Sequence, residues 1–350
     1  MKQFDYVRPA TVKEAIAAAA QPGAAYLAAG TNLLDLMKGN VSRPDRLVDV
    51  THLDGLDRID RLGDGSLRIG TLVSNADLAH DVEFAKAYPA VAEALLSGAS
   101  AQLRNAATVG GNLLQRTRCA YFYDTASRCN KREPGSGCDA RDGENRTHAV
   151  LGWSESCIAM HPSDFCVPLV ALDAIVEVEG RGGRREIPFD ELHRLPGNTP
   201  ERETVLEPGD LIVAVRLPAA ARGFAAHARY LKVRERTSYA FAIVSAAAAL
   251  RIENGKIADA RLALGGVAAK PWRARPAEEV LKGVSPTADA FQEAAWRALT
   301  DAKPSGNNAY KIELARRIVA RALTLAAAGT PARIPALPAS PFASSGAIHA

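Results

Sequence analysis

The segment 116–160 constrains this sequence most, because it holds four of the five cysteines in a stretch with few apolar residues. The four are Cys119, Cys129, Cys138 and Cys157, and the gaps between them are nine, eight and eighteen residues. A polar, glycine-containing loop of about 40 residues is uncommon inside a compact domain unless something ties it down. The four cysteines are the candidates for holding this loop in place, through whatever they bind.

Three interpretations of the cysteines are compatible with their spacing. Structural zinc sites use close C-x2–4-C pairs and bacterial ferredoxin runs are tighter still, and neither pattern is present. This leaves unrelated buried thiols, an irregular four-thiolate zinc site, or a loop around an iron–sulfur cluster. The composition favours a cluster, because nearby cations stabilise its net negative charge. The basic residues in question are Arg116, Arg118, Arg128, Lys131, Arg132, Arg141 and Arg146.

The fifth cysteine has a different setting. Cys166 lies in the apolar run DFCVPLVALDA, which is typical of a packed core thiol. Just before it, His161-Pro-Ser-Asp164 leads into a predicted helix and strand. Asp164 is expected either to cap that helix or to accept hydrogen bonds from a ligand.

Two glycine turns precede the cysteine segment. In AGTNLLDLMKGN (29–40), Gly30 follows a short apolar strand, and Thr31 or Asn32 is expected to cap a helix. A strand–turn–helix start presents free N–H groups to an anion, although most such turns only connect elements. In Thr108–Asn112 two consecutive glycines allow close approach to a bulky ligand, or form a tight bend. Neither turn alone is strong evidence for a phosphate or cofactor site.

The first two thirds of the chain predict an α/β fold. Thr11-Val-Lys-Glu14 is typical of a capping box, which starts a helix that ends near Ala20. Strands at 47–50 and 67–69 then alternate with helical patterns, as in layered α/β proteins.

The last third begins after a change of composition at 219–223. Strands over 225–252 and 257–266 are expected to be joined by Asn254-Gly255 in a type I′ turn. Helices follow at about 276–282, 288–299 and 308–327. From Thr330 a Pro/Ala-rich sequence predicts a flexible tail.

Composition and charge give no sign of nucleic-acid binding or of a membrane-spanning segment. The length of 350 residues suggests two or three domains, and a net charge of +4 with dispersed basic residues gives no footprint for nucleic acid. No window of about 18 uncharged apolar residues predicts a membrane span. The N-terminus shows no signal peptide, so export is expected only with a partner that carries one.

Six motifs together resemble the FAD-binding (medium) subunit of the molybdenum hydroxylases, the xanthine dehydrogenase and aldehyde oxidoreductase family. They occur in the family's order and span residues 1–328. They are LAAGTNLLDLMK (27–38), LRIGTLVSNADLA (67–79), LRNAATVGGNLLQ (103–115), HPSD (161–164), PGDLIVAVRLP (208–218) and LALGGVAAKPWRA (262–274).

This resemblance implies a vanillyl-alcohol-oxidase-type (PCMH-type) FAD-binding fold of two subdomains. The subdomains are residues 1–56 and 57–220, the second with the cysteine loop at 116–160. A C-terminal α/β domain of the CO dehydrogenase flavoprotein type covers 221–328, and the tail is 329–350.

The resemblance also implies which residues contact FAD. The first turn would wrap the diphosphate, the second turn would be a further FAD loop, Asp164 would bind polar parts of the flavin, and Lys232 would bring a positive charge. Tyr239 would cover the flavin or be an ordinary buried tyrosine. The cofactor-binding residues predicted in this way are Leu27, Ala28, Ala29, Gly30, Thr31, Asn32, Leu33, Leu34, Ser100, Thr108, Gly110, Gly111, Asn112, Asp164, Ile212 and Lys232.

The cysteine loop is similar to the 4Fe–4S loop of a bacterial subset of the family, the periplasmic aldehyde oxidoreductases. The resemblance therefore implies Cys119, Cys129, Cys138 and Cys157 as cluster ligands. A different cysteine loop occurs in hydroxybenzoyl-CoA reductase, which remains an alternative, as does a non-redox scaffold subunit with structural zinc.

The expected function is electron transfer, with no catalytic acid or base on this chain. A large molybdenum-cofactor subunit and a small 2Fe–2S subunit would complete a heterotrimer, and FAD would pass electrons to an external acceptor. The compartment expected is the periplasm by co-export, with the cytoplasm as the alternative.

Overall fold

The computed structural model describes residues 1–332, in which the strands form three separate sheets. A parallel sheet has the order β1-β3-β2, an antiparallel sheet the order β4-β5-β8-β6-β7, and a second antiparallel sheet the order β12-β11-β10-β9. The strands are β1 (Asp5–Val7), β2 (Ala24–Leu27), β3 (Arg46–Asp49), β4 (Ile59–Arg61), β5 (Leu67–Gly70), β6 (Ile175–Gly180), β7 (Gly183–Pro188), β8 (Leu211–Leu217), β9 (Ala228–Val233), β10 (Val244–Glu253), β11 (Lys256–Gly265) and β12 (Trp272–Arg273).

Helices connect and cover these sheets, which confirms the α/β class. They are α1 (Val12–Ala19), α2 (Leu33–Lys38), α3 (Asn75–His80), α4 (Val82–Ala87), α5 (Pro89–Ser97), α6 (Ala101–Ala106), α7 (Val109–Leu113), α8 (Ala120–Tyr123), α9 (Cys166–Ala171), α10 (Phe189–Leu192), α11 (Arg275–Leu281), α12 (Ala288–Arg297) and α13 (Tyr310–Ala327). A 3₁₀ segment, Ala219–His227, precedes β9.

The parallel sheet depends on α1 as the crossover between β1 and β2, because parallel strands need such a connection. The predicted Thr11 cap forms, because Thr11 Oγ1 accepts the N–H of Glu14 at 3.2 Å, and the Glu14 carboxylate reaches back to the N–H of Ala10, one residue before the cap, at 2.9 Å. The buried face of α1 packs against β3. The turn after β2 therefore has a fixed position.

The five-stranded sheet shares its core with the helices around the second glycine turn. Helices α3, α5, α7 and α9 contribute buried side chains to the same cluster as β6 and β8. Pro89 stands at the start of α5, where its missing N–H costs nothing. Helices α5 and α9 also contact the C-terminal sheet, so the two antiparallel sheets are joined through them.

The C-terminal sheet contains the predicted hairpin. Asn254 (φ 51°) and Gly255 (φ 72°) both have positive φ between β10 and β11, as a type I′ turn requires. The region predicted as strand over 225–252 contains two strands, β9 and β10; the prediction is wrong at 225–227, which end the 3₁₀ segment, and at 234–243, which are irregular. The three predicted helices form, and α13 packs on β10 and β9.

The three sheets draw on residues 5–49, 59–217 and 228–273. The exact domain boundaries stay a prediction. Ordered contacts extend past residue 328, since Thr330 donates its N–H to the Ala226 carbonyl at 2.8 Å. Most of the predicted tail (333–350) lies outside the described residues. Within the described part, no helix is both long and apolar enough to cross a bilayer.

Candidate cofactor site

A cavity of about 800 Å³ opens where the two glycine turns, the HPSD motif and β9 meet. Its volume is within the range of sites for drug-sized ligands and cofactors. The predicted residues that line it are Ala29, Gly30, Thr31, Asn32, Leu34, Gly111, Asn112, Asp164 and Lys232. Folding thus brings together side chains from both halves of the sequence at one site.

The first turn places backbone donors at this cavity. Gly30 has φ 72°, and a Cβ there would lie 2.8 Å from the Leu34 side chain, so glycine is needed for the turn. Within residues 1–332, the N–H groups of Gly30, Thr31 and Asn32 have no protein acceptor. Unpaired N–H groups beside a cavity fit the diphosphate of a dinucleotide.

The side chain of Asn32 does not cap α2, and neither does that of Thr31. Instead, Asn32 Oδ1 accepts the N–H of Arg116 at 2.9 Å, and its Nδ2 is 3.5 Å from the hydroxyl of Tyr123. Asn32 stands at the predicted N-cap position of α2, but its side chain makes no capping hydrogen bond because the long-range acceptor role uses it. Asn32 links the first turn to the start of the cysteine loop.

The second turn is the start of helix α7, not an open loop. Thr108 Oγ1 caps it by accepting the N–H of Gly111 at 3.2 Å. The two glycines have different roles: a Cβ at Gly110 would lie 1.7 Å from Thr71 Oγ1, whereas one at Gly111 would lie 3.1 Å from Thr108 Oγ1. Gly110 therefore permits packing against Thr71, and Gly111 faces the cavity.

The HPSD motif caps α9 through Ser163 and leaves Asp164 for other partners. Ser163 Oγ accepts the N–H of Cys166 at 3.2 Å and donates to Asn112 Oδ1 at 2.7 Å, which ties the motif to the second turn. Cys166 is fully buried, as its apolar sequence context predicts.

Asp164 forms a buried ion pair with Lys232 at the cavity wall. Lys232 Nζ lies 2.7 Å from Asp164 Oδ2, with side-chain exposures of 2% and 8%. The hydroxyl of Tyr230 donates to Asp164 Oδ1 at 2.5 Å, and burial together with the carboxylate raises the pKa of Tyr230 well above its usual value. Because Asp164 neutralises it, Lys232 does not bring an isolated positive charge to the cavity.

Seven of the predicted residues do not line the cavity: Leu27, Ala28, Leu33, Ser100, Thr108, Gly110 and Ile212. Ser100 caps α6 by accepting the N–H of Leu103 at 3.3 Å. Ile212 lies in β8 with 3% exposure, inside the core cluster. Contact between these seven and a cofactor stays a prediction. Tyr239 lines the cavity with 56% exposure, so it is not an ordinary buried tyrosine.

The cysteine loop is held mainly by side chains that bind backbone carbonyls. Apart from α8, its backbone pairing consists of two isolated antiparallel bridges, Cys129 with Cys138 and Ser154 with Cys157. The guanidinium of Arg132 donates to the carbonyls of Tyr121 and Phe122, each at 2.8 Å. From α13, Lys311 Nζ donates to the carbonyls of Thr147 (2.7 Å), His148 (2.8 Å) and, outside the loop, Gly266 (2.7 Å).

Most of the basic residues of the loop have protein partners. Five of the seven lie within ion-pair distance of carboxylates, in the pairs Arg116–Glu203, Lys131–Glu203, Arg128–Asp139, Arg141–Glu155 and Arg146–Glu235. The charge of Lys131 still acts on a thiol, since it opposes the rise in the pKa of Cys157 that burial causes. The many basic residues of the loop therefore serve to anchor it through ion pairs as much as to offset negative charge on the cysteines.

The four loop cysteines are not disulfide-bonded, and Cys129 and Cys157 are buried while Cys119 and Cys138 are partly exposed. Burial raises the pKa of Cys119 to about 12 and also raises that of Cys138 and Cys157, and the charge of Cys129 adds to all three shifts. Within residues 1–332, no three of these sulfurs lie within 4.8 Å of one another. A zinc ion with Zn–S bonds of about 2.3 Å would hold four sulfurs about 3.8 Å apart. The arrangement is more open than a single ion requires.

The loop and the cavity share a wall. Arg118, Cys119, Thr147 and His148 all line the cavity. His148 Nε2 lies 3.2 Å from Cys119 Sγ. The sequence analysis missed His148, because a lone histidine in a polar segment carries no distinguishing pattern.

A second group, His161, Cys166 and His193, brings three ligand-type atoms within 4.8 Å of one another. Burial lowers the pKa of both histidines, that of His193 to about 4. His161 Nδ1 accepts the N–H of Ser163 at 3.3 Å, so its proton resides on Nε2, the nitrogen that a metal would need. This protonation disfavours a metal site.

Comparison with known proteins assigns the fold to a family. Residues 2–220 match the FAD binding domain in molybdopterin dehydrogenase, and residues 229–326 match the CO dehydrogenase flavoprotein C-terminal domain. The chain belongs to the FAD-binding subunits of the molybdenum hydroxylases, an oxidoreductase family that includes aldehyde oxidoreductases and xanthine dehydrogenases.

Individual relatives agree with this assignment. The chain is 49% identical to the aldehyde oxidoreductase FAD-binding subunit PaoB of Escherichia coli, over 94% of this chain and 99% of that one. It is 27% identical to the carbon monoxide dehydrogenase medium chain of Hydrogenophaga pseudoflava, over 93% and 97%. The solved structure of carbon monoxide dehydrogenase from that organism superposes with a TM-score of 0.73 at 28% identity, covering 93% and 98%. The predicted fold is thereby confirmed.

Proposed function

We propose that this chain is the FAD- and 4Fe–4S-containing electron-transfer subunit of a molybdenum-dependent aldehyde oxidoreductase. The observation that carries the proposal is the shared wall: one cavity is lined by both glycine turns and by Cys119 and His148 of the cysteine loop. The aldehyde class is supported by the 49% identity to the E. coli aldehyde oxidoreductase subunit.

The residues of the cavity fit FAD. When bound, FAD supplies one- and two-electron redox chemistry. The N–H groups of residues 30–32 would donate to the diphosphate, and Gly111 leaves room for close approach. The Asp164–Lys232 pair would present both a donor and an acceptor to polar flavin atoms while keeping the wall neutral. No residue of the chain is required to act as a catalytic acid or base.

The proposed cluster would be held by the loop cysteines. Cys119, Cys129, Cys138 and Cys157 would supply four thiolates, and no three of their sulfurs lie as close together as a single zinc ion would hold them. Because burial keeps Cys119 protonated, loading would displace its proton. Lys131 would offset part of the negative charge near Cys157.

The assembly proposed is a heterotrimer with a large molybdenum-cofactor subunit and a small 2Fe–2S subunit, in which this chain passes electrons to an external acceptor. The compartment proposed is the periplasm, reached by export with a partner that carries a signal. This part rests on the similarity of the cysteine loop to the periplasmic subset. Fractionation of cells that express all three subunits would test it.

The test of cofactor content uses the purified chain. We expect flavin absorption bands, a broad visible shoulder, and about four irons per chain. A colourless protein with one zinc would establish the scaffold alternative. In the whole complex, oxidation of aromatic aldehydes is expected, whereas reduction of aromatic CoA thioesters would place the chain with the hydroxybenzoyl-CoA reductases.

A further inference from the structure

His148 occupies the boundary between the two proposed cofactor sites. Its Nε2 lies 3.2 Å from Cys119 Sγ, and its ring lines the 800 Å³ cavity. The residue is only 6% exposed. Its position is fixed through the backbone, because its carbonyl accepts hydrogen bonds from Asn308 Nδ2 at 3.0 Å and Lys311 Nζ at 2.8 Å.

The protonation of the ring follows from its partners. A cysteine that binds iron is a thiolate and can only accept, so the proton must be on His148 Nε2 and point at Cys119 Sγ. His148 Nδ1 is buried and has no partner in the described residues. When the proton is on Nε2, His148 Nδ1 carries none, so the buried atom without a partner is an acceptor and not a donor. The N–H···S contact is therefore consistent with cluster loading.

We propose that His148 is a positioning residue that donates a hydrogen bond to the Cys119 ligand and thereby raises the reduction potential of the cluster beside the flavin cavity. The inference rests on the proposed function, since it requires the cluster. Reduction adds one electron, and the extra negative charge is shared by the ligand sulfurs. A donor fixed at one sulfur stabilises the reduced form more than the oxidised form.

The choice of His148 over other donors follows from the loop. Arg118 lines the same cavity, but its Nη1 donates to the hydroxyl of Tyr123 and its Nη2 is 3.4 Å from Gln115 Oε1. The backbone N–H of Ala159 reaches Cys157 Sγ at 3.5 Å, on a different ligand. His148 is the side chain whose donor lies at a loop sulfur and whose ring also forms the cavity wall.

The experiment is a redox titration of purified holoprotein, followed by the EPR signal of the reduced cluster, with iron and flavin contents measured on the same samples. His148→Leu removes the donor, His148→Gln restores an N–H donor on a shorter side chain, and His227→Leu removes a histidine whose Nδ1 contacts the Ala326 carbonyl away from the loop. In His148→Leu, the ratio of reduced to oxidised cluster at a fixed applied potential should fall about fivefold, as expected for one lost hydrogen bond.

The outcomes separate this inference from the proposed function. Full iron and flavin in His148→Leu with a lower potential, partial recovery in His148→Gln and no change in His227→Leu would support it. An unchanged potential in His148→Leu with full iron would overturn the role of His148 and leave the cluster in place. Loss of iron from His148→Leu, with His148→Gln at the wild-type potential, would support a donor role in holding Cys119. A wild-type protein without iron would overturn both.

Discussion

The walls of the flavin cavity and the cysteine loop are held in place by different means. The cavity is built from the ends of regular elements: a strand and a glycine turn before α2, a threonine cap at α7, and a serine cap at α9. The loop 116–160 has one short helix, and its shape depends on long side chains that reach carbonyls.

This difference predicts how each region responds to loss of its cofactor. Backbone positions in the cavity are set by hydrogen bonds within and between elements, so the empty cavity should persist. In the loop, ion pairs and side chain–carbonyl hydrogen bonds do much of this work, because its local apolar cluster has only Leu36, Phe122 and Cys129 as buried members, although Val150 and Leu151 near its end join the C-terminal core. Regions with few buried contacts open first.

The largest effect is expected from removing a cluster ligand. Cys129→Ser should abolish iron binding, because a hydroxyl is a poor replacement for a thiolate on iron, while the flavin remains bound. Limited proteolysis should then cut within 116–160 before any other part of the described chain. Iron assay, flavin fluorescence after denaturation, and mapping of the cuts provide the measurements.

Cys166→Ala is the matched control for that variant. Cys166 is fully buried outside the loop, so this change should leave the iron content unaltered. Full iron in Cys129→Ser, or equal loss in both variants, would contradict the ligand assignment.

The next largest effect concerns the cavity wall. Asp164→Asn leaves the buried ammonium of Lys232 without its counter-charge, and we expect a loss of about 3–5 kcal/mol of stability together with weaker FAD retention. Lys232→Met should be similarly costly, and the double variant should be less destabilised than the two single changes summed. Thermal unfolding and flavin content, measured for the two single variants and the double variant, give these losses of stability and of FAD. Strict additivity would mean that the two side chains act independently.

The sequence predicts local features better than long-range partners, for a physical reason. Local rules governed the Thr11 capping box, the Asn254-Gly255 turn and the helices at 275–281, 288–297 and 310–327, and these predictions held. Where a side chain has a long-range partner, local rules failed: Asn32 binds the N–H of Arg116 and does not cap α2.

Residue roles were less predictable than residue positions. The two glycines of the second turn could not be told apart from sequence, because the difference lies in Thr71, which is distant along the chain. Asp164 and Lys232 were each assigned to the flavin by resemblance, but their mutual ion pair was not foreseen. The anchoring of the loop by Lys311 also had no local signal.

Adjacent glycines offer a matched test of packing against cofactor approach. Gly110→Ala introduces a Cβ 1.7 Å from Thr71 Oγ1, so it should cost about 1–3 kcal/mol in stability of the protein even without flavin. Gly111→Ala meets only Thr108 Oγ1 at 3.1 Å, so it should reduce FAD occupancy with little change in the unfolding temperature of the apoprotein. If the double variant Gly110→Ala/Thr71→Ala is no more stable than Gly110→Ala, the packing explanation is wrong.

The smallest effect tests the link between the two regions. Asn32→Ala removes the acceptor for the N–H of Arg116 and should cost about 1 kcal/mol, whereas Asn32→Asp keeps an acceptor and should cost less. Because this bond joins the first turn to the start of the loop, Asn32→Ala should speed amide exchange at residues 116–119 without changing exchange in α1. Hydrogen exchange with mass spectrometry resolves these segments. Unchanged exchange at 116–119 would show that the start of the loop holds its position without the hydrogen bond to Asn32.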